Sequence, residues 1–148
     1  MEHPGQTRIS TGETWPTTLM YYLAGFADGE GCFRYDGRTT RAGVTNAYPW
    51  VLQMFQKMWG GSIRRRSPRS PNHKPVYNWE VSGELARAYS KDISPFLREK
   101  RRQADLVIRI MDQPSGSPER VEMIRQLKEL KHVEYVLIPI EEYHNDQA

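Results

Sequence analysis

A chain of 148 residues, 38% hydrophobic and 26% charged, has the apolar surface for one core and little for a second. No apolar run approaches the ~20 residues of a membrane span, and Met1 to Glu13 lacks the apolar stretch of a secretory signal, so an intracellular protein without a membrane partner is expected. The net charge of +3 is unevenly spread: Arg38 to Arg102 holds 14 Lys and Arg against 4 Asp and Glu, while Asp112 to the end holds 4 against 8, a basic middle of the kind that binds polyanions.

In chain order, residues 1–15 read as a mobile N-terminal arm, 16–131 as a single domain and 132–148 as an acidic tail. Pro16 suits a first helical turn, and Leu19, Tyr22, Leu23, Phe26 and Ala27 mark the buried stripe of a helix from Thr17 to Gly29. Gly29 and Gly31 are expected to end it through left-handed backbone. A strand follows with Phe33 and Tyr35 on one face and Cys32, Arg34 and Asp36 on the other. Asp36-Gly37 reads as a tight turn into a return strand, Thr39 to Thr45, with Ala42 and Val44 inward. Asn46 can cap a second helix that buries Trp50, Val51, Met54, Phe55 and Met58, and Gly60-Gly61 stops it. Ser62 to Ser67 and Pro75 to Ser82 form a second strand pair around a basic loop. Helices are predicted over Glu84 to Lys91, Pro95 to Met111 and, after a Pro114 to Pro118 linker, Glu119 to Lys131.

Helix, hairpin, helix, hairpin, helices is an α+β layout in which helices cover one face of an antiparallel sheet. Alternation puts Arg34, Arg41, Arg64, Arg66, Asn78 and Glu80 on the uncovered face, and its cationic bias points to a polyanion. Gly25-x-x-x-Gly29 makes a small-residue helix face on which two backbones can approach closely, which justifies a helical glycine that costs up to ~1 kcal/mol against alanine. Glu30 stands at the helix C-terminus, where a carboxylate meets partial negative charge and is disfavoured unless a cation joins it. The lone Cys32 has no disulfide partner, which fits a reducing setting, and the scattered histidines have no zinc spacing. No Ser–His–Asp order, phosphate-cradling glycine loop or cofactor box is visible, so no small-molecule cofactor is expected.

The segment Leu23 to Gly31, LAGFADGEG, resembles the signature of the LAGLIDADG homing endonucleases. The likeness continues in Val44-Thr45-Asn46, Gly60-Gly61-Ser62-Ile63, Tyr77 to Gly83 and Pro95 to Ala104, so that five blocks in order span about residues 17 to 111. The resemblance implies that family's fold, with a saddle-like antiparallel DNA-binding sheet. It also implies site-specific cutting of both strands of a long, near-palindromic target, with short 3′ overhangs. Members with one motif copy act as homodimers, and a single copy is present here, so Ala24, Gly25, Asp28 and Gly29 are expected at a subunit interface. Glu30 matches the family's metal-binding catalytic acid, with the Gly29 carbonyl beside it, and the implied cofactor is Mg²⁺, with Mn²⁺ as a substitute. Asp28 matches the first motif acid and is expected to be structural. Lys100 matches a lysine near the scissile phosphate, although Arg98, Arg101 and Arg102 leave that register open. Asn46 sits near a position that orders solvent at the cut and could equally be only a helix cap. The expected DNA contacts are Arg34, Arg38, Arg41, Arg64, Arg66, Arg69, Lys74, Asn78 and Glu80, with loop cations on phosphates and sheet residues on base edges. Two other uses of this scaffold compete: an RNA maturase that assists intron splicing, and a DNA-binding regulator that does not cleave.

Overall fold

Two β-hairpins joined through a helix build one antiparallel sheet, and the side-chain period of two decides what each face does. In the computed structural model, which describes residues 3–140, the strands β3 (Gly31–Tyr35), β4 (Thr40–Asn46), β5 (Ser62–Arg66) and β6 (Val76–Ser82) lie in the order β3-β4-β6-β5. Registers such as Phe33↔Ala42, Val44↔Trp79 and Ile63↔Trp79 align the apolar positions across all four strands. The helices α1 (Thr17–Glu30), α2 (Pro49–Trp59), α3 (Gly83–Ile93) and α4 (Arg101–Ile110) cover that apolar face. Phe33, Phe55, Trp59, Trp79 and Tyr89 meet at its centre, with Trp79 5.0 Å from both the Phe55 and Tyr89 rings. The polar ends of the tryptophans are satisfied there: Trp79 Nε1 donates to the Gly60 carbonyl at 2.8 Å, and Trp59 Nε1 donates to Asp92 Oδ2 at 2.8 Å.

The segment expected as a mobile arm is, from Gln6, a ribbon of β1 (Gln6–Arg8) and β2 (Thr14–Pro16) closed by a turn. Ile9 at its tip is 3% exposed, and the Ser10 N–H and hydroxyl donate to Asp92, so a core contact and a charge-assisted anchor hold it down. In α1 the buried residues are Met20, Leu23, Ala24 and Ala27, while Tyr22, expected inside, is exposed. That helix does not end on left-handed glycine. Gly31 has φ −86°, and its lack of a side chain serves close packing, because a Cβ there would lie 2.5 Å from the Ala27 oxygen. The first hairpin turns one residue later than expected. Asp36 donates its N–H to Thr39, which leaves Gly37 (φ +96°) and Arg38 as the central pair.

Helix α2 begins at Pro49 with Tyr48 at its N-cap position and no side-chain cap, while Asn46 ends β4 and accepts the Tyr48 N–H at 2.8 Å. Its buried stripe is Val51, Leu52, Phe55, Met58 and Trp59, so the expected Trp50 and Met54 face solvent. The Trp59–Asp92 hydrogen bond and the aromatic cluster draw the last turn inward and set this phase. The single helix expected over Pro95 to Met111 is broken: a 3₁₀ turn, Ser94–Phe96, and an irregular stretch precede α4. After the 114–118 linker, α5 (Pro118–Glu129), capped by Ser117, packs on α4 and β3. Its Arg120, 9% exposed, reaches the Tyr35 hydroxyl at 3.3 Å. Residues 133–139 are irregular and exposed, and the rest of the expected acidic tail, from Glu141, lies outside the described residues. No helix among the described residues is long and apolar enough to cross a membrane.

Candidate nucleic-acid interface and active site

The open face of the sheet collects the residues that alternation assigned to it. Arg34 pairs in register with Arg41, Thr45 and Arg64 flank Asn78, and Gly43 and Ser62 flank Glu80. Arg34, Arg41, Arg64, Arg66, Asn78 and Glu80 line a concavity of ≈ 690 Å³ on this face. Its residues are not equivalent. Glu80 bridges two arginines, accepting from Arg34 at 2.9 Å and from Arg41 at 2.8 Å, and Arg41 also donates to Asp36 at 2.5 Å. Hydrogen bonds from Arg41 and from the Thr39 and Arg38 amides hold the Asp36 carboxyl far below its ordinary range. For Glu80, burial pushes the carboxyl up, but the hydrogen bonds from Arg34 and Arg41 outweigh it and keep it below the usual value. Asn78 accepts a 2.7 Å hydrogen bond from Thr45. Arg64 and Arg66 are exposed and have no ion pair among the described residues. Arg38 in the first turn, and Arg69 and Lys74 in the 67–75 loop, are exposed at the margin.

At one end of this face stands the C-terminus of α1, where the two motif acids diverge. Asp28 turns toward its own chain: its carboxylate accepts the backbone N–H groups of Arg98, Glu99 and Lys100 at 2.9, 3.1 and 3.0 Å. These bonds draw the chain out of the helix expected there and satisfy amides entering α4 from outside its own sequence. Glu30 turns toward the sheet. It is exposed, has no hydrogen bond or ion pair among the described residues, and lines a concavity of ≈ 240 Å³ with Cys32, Arg34, Thr45, Arg66, Asn78 and Glu80. Lys100 joins the two settings, because its Nζ donates to the carbonyls of Gly31 at 2.6 Å and Ala27 at 3.4 Å. A cation thus sits on the negative end of the α1 dipole. Arg101, by contrast, donates to the Ser94 and Pro95 carbonyls, away from Glu30's surroundings. Asn46 is not brought to the site. It shares strand parity with buried Ala42 and Val44, and Thr45 lines the concavity instead.

The outward side of α1 carries Thr18, Tyr22, Gly25 and Gly29 along one line, with nothing within 4 Å of a side chain built at either glycine. Ala24 is not part of it: at 0% exposure it belongs to the chain's own core. Asp28, also expected at an interface, is committed to the 98–100 amides. Among the described residues no three His, Cys, Asp or Glu cluster to hold a metal ion. Glu30 is thus a carboxylate free of partners among the described residues at the sheet-facing side of this end, with Gly29 beside it in the last turn of α1.

No protein-family profile and no curated relative matches the sequence. Solved structures do match. The homing endonuclease I-CvuI, in complex with its target, superposes with a TM-score of 0.62 at 21% identity over 84% of this chain and 88% of that one. The archaeal intron-encoded homing endonuclease I-Vdi141I, complexed with DNA, gives 0.61 at 17% identity over 84% and 91%. This chain has the LAGLIDADG homing endonuclease fold. One further match, the LAGLIDADG homing endonuclease I-SmaMI bound to cleaved DNA, has a TM-score of 0.50 at 21% identity, covering 76% of this chain and 47% of that one. The LAGLIDADG reading of the LAGFADGEG block thus holds at the level of fold, with that block forming the second half of α1 and the first residue of β3.

Sequence reasoning missed two polar residues of the face. Asp36 was read as a turn residue, although its alternation with Arg34 already placed it on this face, where it meets Arg41. Thr45, in alternation with inward Val44, was given no role, and its hydroxyl donates to Asn78 at 2.7 Å.

Proposed function

We propose that the chain is a homodimeric, metal-dependent DNA endonuclease that cuts both strands of a near-palindromic site. The observation that carries this reading is Glu30: a carboxylate unpaired among the described residues, at the end of α1 and the margin of an arginine-lined sheet face. A second copy packed along the open Gly25–Gly29 stripe brings two Glu30 carboxylates together over the duplex, one for each strand. The donor set is all oxygen, Glu30 and the Gly29 carbonyl, which fits a hard divalent ion such as Mg²⁺, or Mn²⁺ in its place. That ion, when bound, supplies Lewis-acid stabilisation of charge on the phosphate. The chain's own residues do the rest: the sheet arginines hold and orient the duplex, and Lys100 sets a fixed positive charge at the α1 end. Both strands open with short 3′ overhangs.

Incubation with a library of duplexes in Mg²⁺, followed by sequencing of new ends, tests the reading. Wild type should leave paired breaks related by a twofold. Glu30→Gln should abolish cleavage while retaining binding, as should chelation of the metal. Cleavage by Glu30→Gln at the wild-type rate refutes the assignment. Binding of duplex without cleavage by wild type selects the non-cleaving regulator, and preference for structured RNA selects the maturase.

A further inference from the structure

We propose that Glu80 is a positioning residue that fixes Arg34 and Arg41 to read guanines at neighbouring positions of each half-site, and so determines target specificity without touching a base itself. This deepens the DNA-binding reading above and rests on it. Arg34 and Arg41 are direct cross-strand partners, an arrangement in which like charges repel. Glu80, one strand further on, gives one carboxylate oxygen to each guanidinium. Its side chain is 24% exposed against 40% and 34% for Arg34 and Arg41, so the carboxylate is the more covered member of each pair. Asp36 takes the Arg41 Nε as well.

The donors left over point to the ligand. A guanidinium has five N–H donors. Arg34 uses one on Glu80, and Arg41 uses two on Glu80 and Asp36, so both keep donors for an acceptor pair. In the major groove, N7 and O6 of guanine form that pair on one base. Glu80 could read only an amino group of cytosine or adenine, and to do so it would abandon two arginines. Arginines already fixed in place lose less freedom on binding than solvated ones, which sharpens their selectivity. Arg64 and Arg66 have no such carboxylate among the described residues.

The test begins with the duplex that wild type selects from a random library, and measures affinity for every single-base variant of it. Wild type should require guanine at two neighbouring positions per half-site. Glu80→Gln should relax both by about tenfold or more while other positions keep their preference. Glu80→Asp, which keeps the charge, should restore part of the discrimination. Arg34→Ala and Arg41→Ala should each relax one of the same two positions, which keeps the assignment refutable even if Glu80→Gln melts early. The proposal falls if Glu80→Gln instead relaxes a cytosine or adenine position, weakens all variants equally, or leaves the profile intact. Failure of wild type to select any duplex overturns the DNA-binding reading itself, a distinguishable result.

Discussion

The two halves of the open sheet face use arginine in opposite ways. On β3, β4 and β6, Arg34 and Arg41 are locked to Asp36 and Glu80, and the four side chains together carry no net charge. On β5, Arg64, Arg65 and Arg66 stand consecutively, exposed, with no carboxylate partner among the described residues. A count of basic residues treats these halves alike, yet their electrostatics differ. The locked half can present oriented donors to a duplex while adding little attraction for phosphate. The β5 half adds three full charges whose benefit falls as salt rises.

The largest effect should therefore come from β5. Removing Arg64, Arg65 and Arg66 together should lower the slope of log affinity against log salt by about 2.7, roughly 0.9 per charge. Between 50 and 200 mM salt the triple variant should then lose about 40-fold less affinity than wild type. The charge-neutral double variant Arg34→Ala/Glu80→Ala should leave the slope as it was. Titrations of binding at several salt concentrations decide it, and equal flattening by both variants would erase the distinction between the halves.

Acid should act on the locked half alone. Asp36 and Glu80 are both held below their ordinary values of 3.8 and 4.5 by arginine hydrogen bonds, for Glu80 against an opposing push from burial. A carboxyl lowered in the folded state contributes stability above its ordinary value and loses it as pH falls through the lowered one. Denaturant midpoints should thus begin to fall as the pH drops below the ordinary carboxylate range. Arg34→Ala/Arg41→Ala should show a shallower fall, because Glu80 then has neither arginine to lower it and Asp36 keeps only the Thr39 and Arg38 amides. The β5 triple variant should track wild type.

How much of this was legible depends on how local the cause was. Strand alternation put Phe33, Val44 and Trp79 inside and Arg34, Arg41 and Glu80 outside, because a period of two needs only neighbouring residues. The coupling of Arg34 to Glu80 was not legible: the two lie 46 positions apart and meet only through the β4–β6 register. Asp28 could be recognised as a structural acid, but its three amides lie 70 to 72 residues downstream, and those bonds interrupt the helix that Pro95 to Met111 spells out locally. Ala24 fails for a related reason. A small residue fits a subunit seam and a crowded core equally well, and only the packing of α1 decides between them.

The smallest effect should come from a single loop cation. Lys74 is exposed in the 67–75 connection, outside the sheet register that fixes Arg66 opposite Val76. A point charge on a flexible stem has no rigid fork to match against a base edge, so it serves phosphate. Lys74→Ala should lower the salt slope by about 0.9 and weaken every target variant alike, with wild type losing only three- to fourfold more affinity than the variant from 50 to 200 mM salt. Arg66→Ala should show the same slope change, since the charge lost is the same. It should in addition relax one target position by about 1–3 kcal/mol, because Arg66 lines the concavity beside Asn78. Affinity profiles over single-base variants at two salt concentrations separate the two cases. If Lys74→Ala relaxed a particular base while Arg66→Ala weakened all targets equally, the face would be turned about in the groove, with the loop over the bases and the β5 strand along the phosphates.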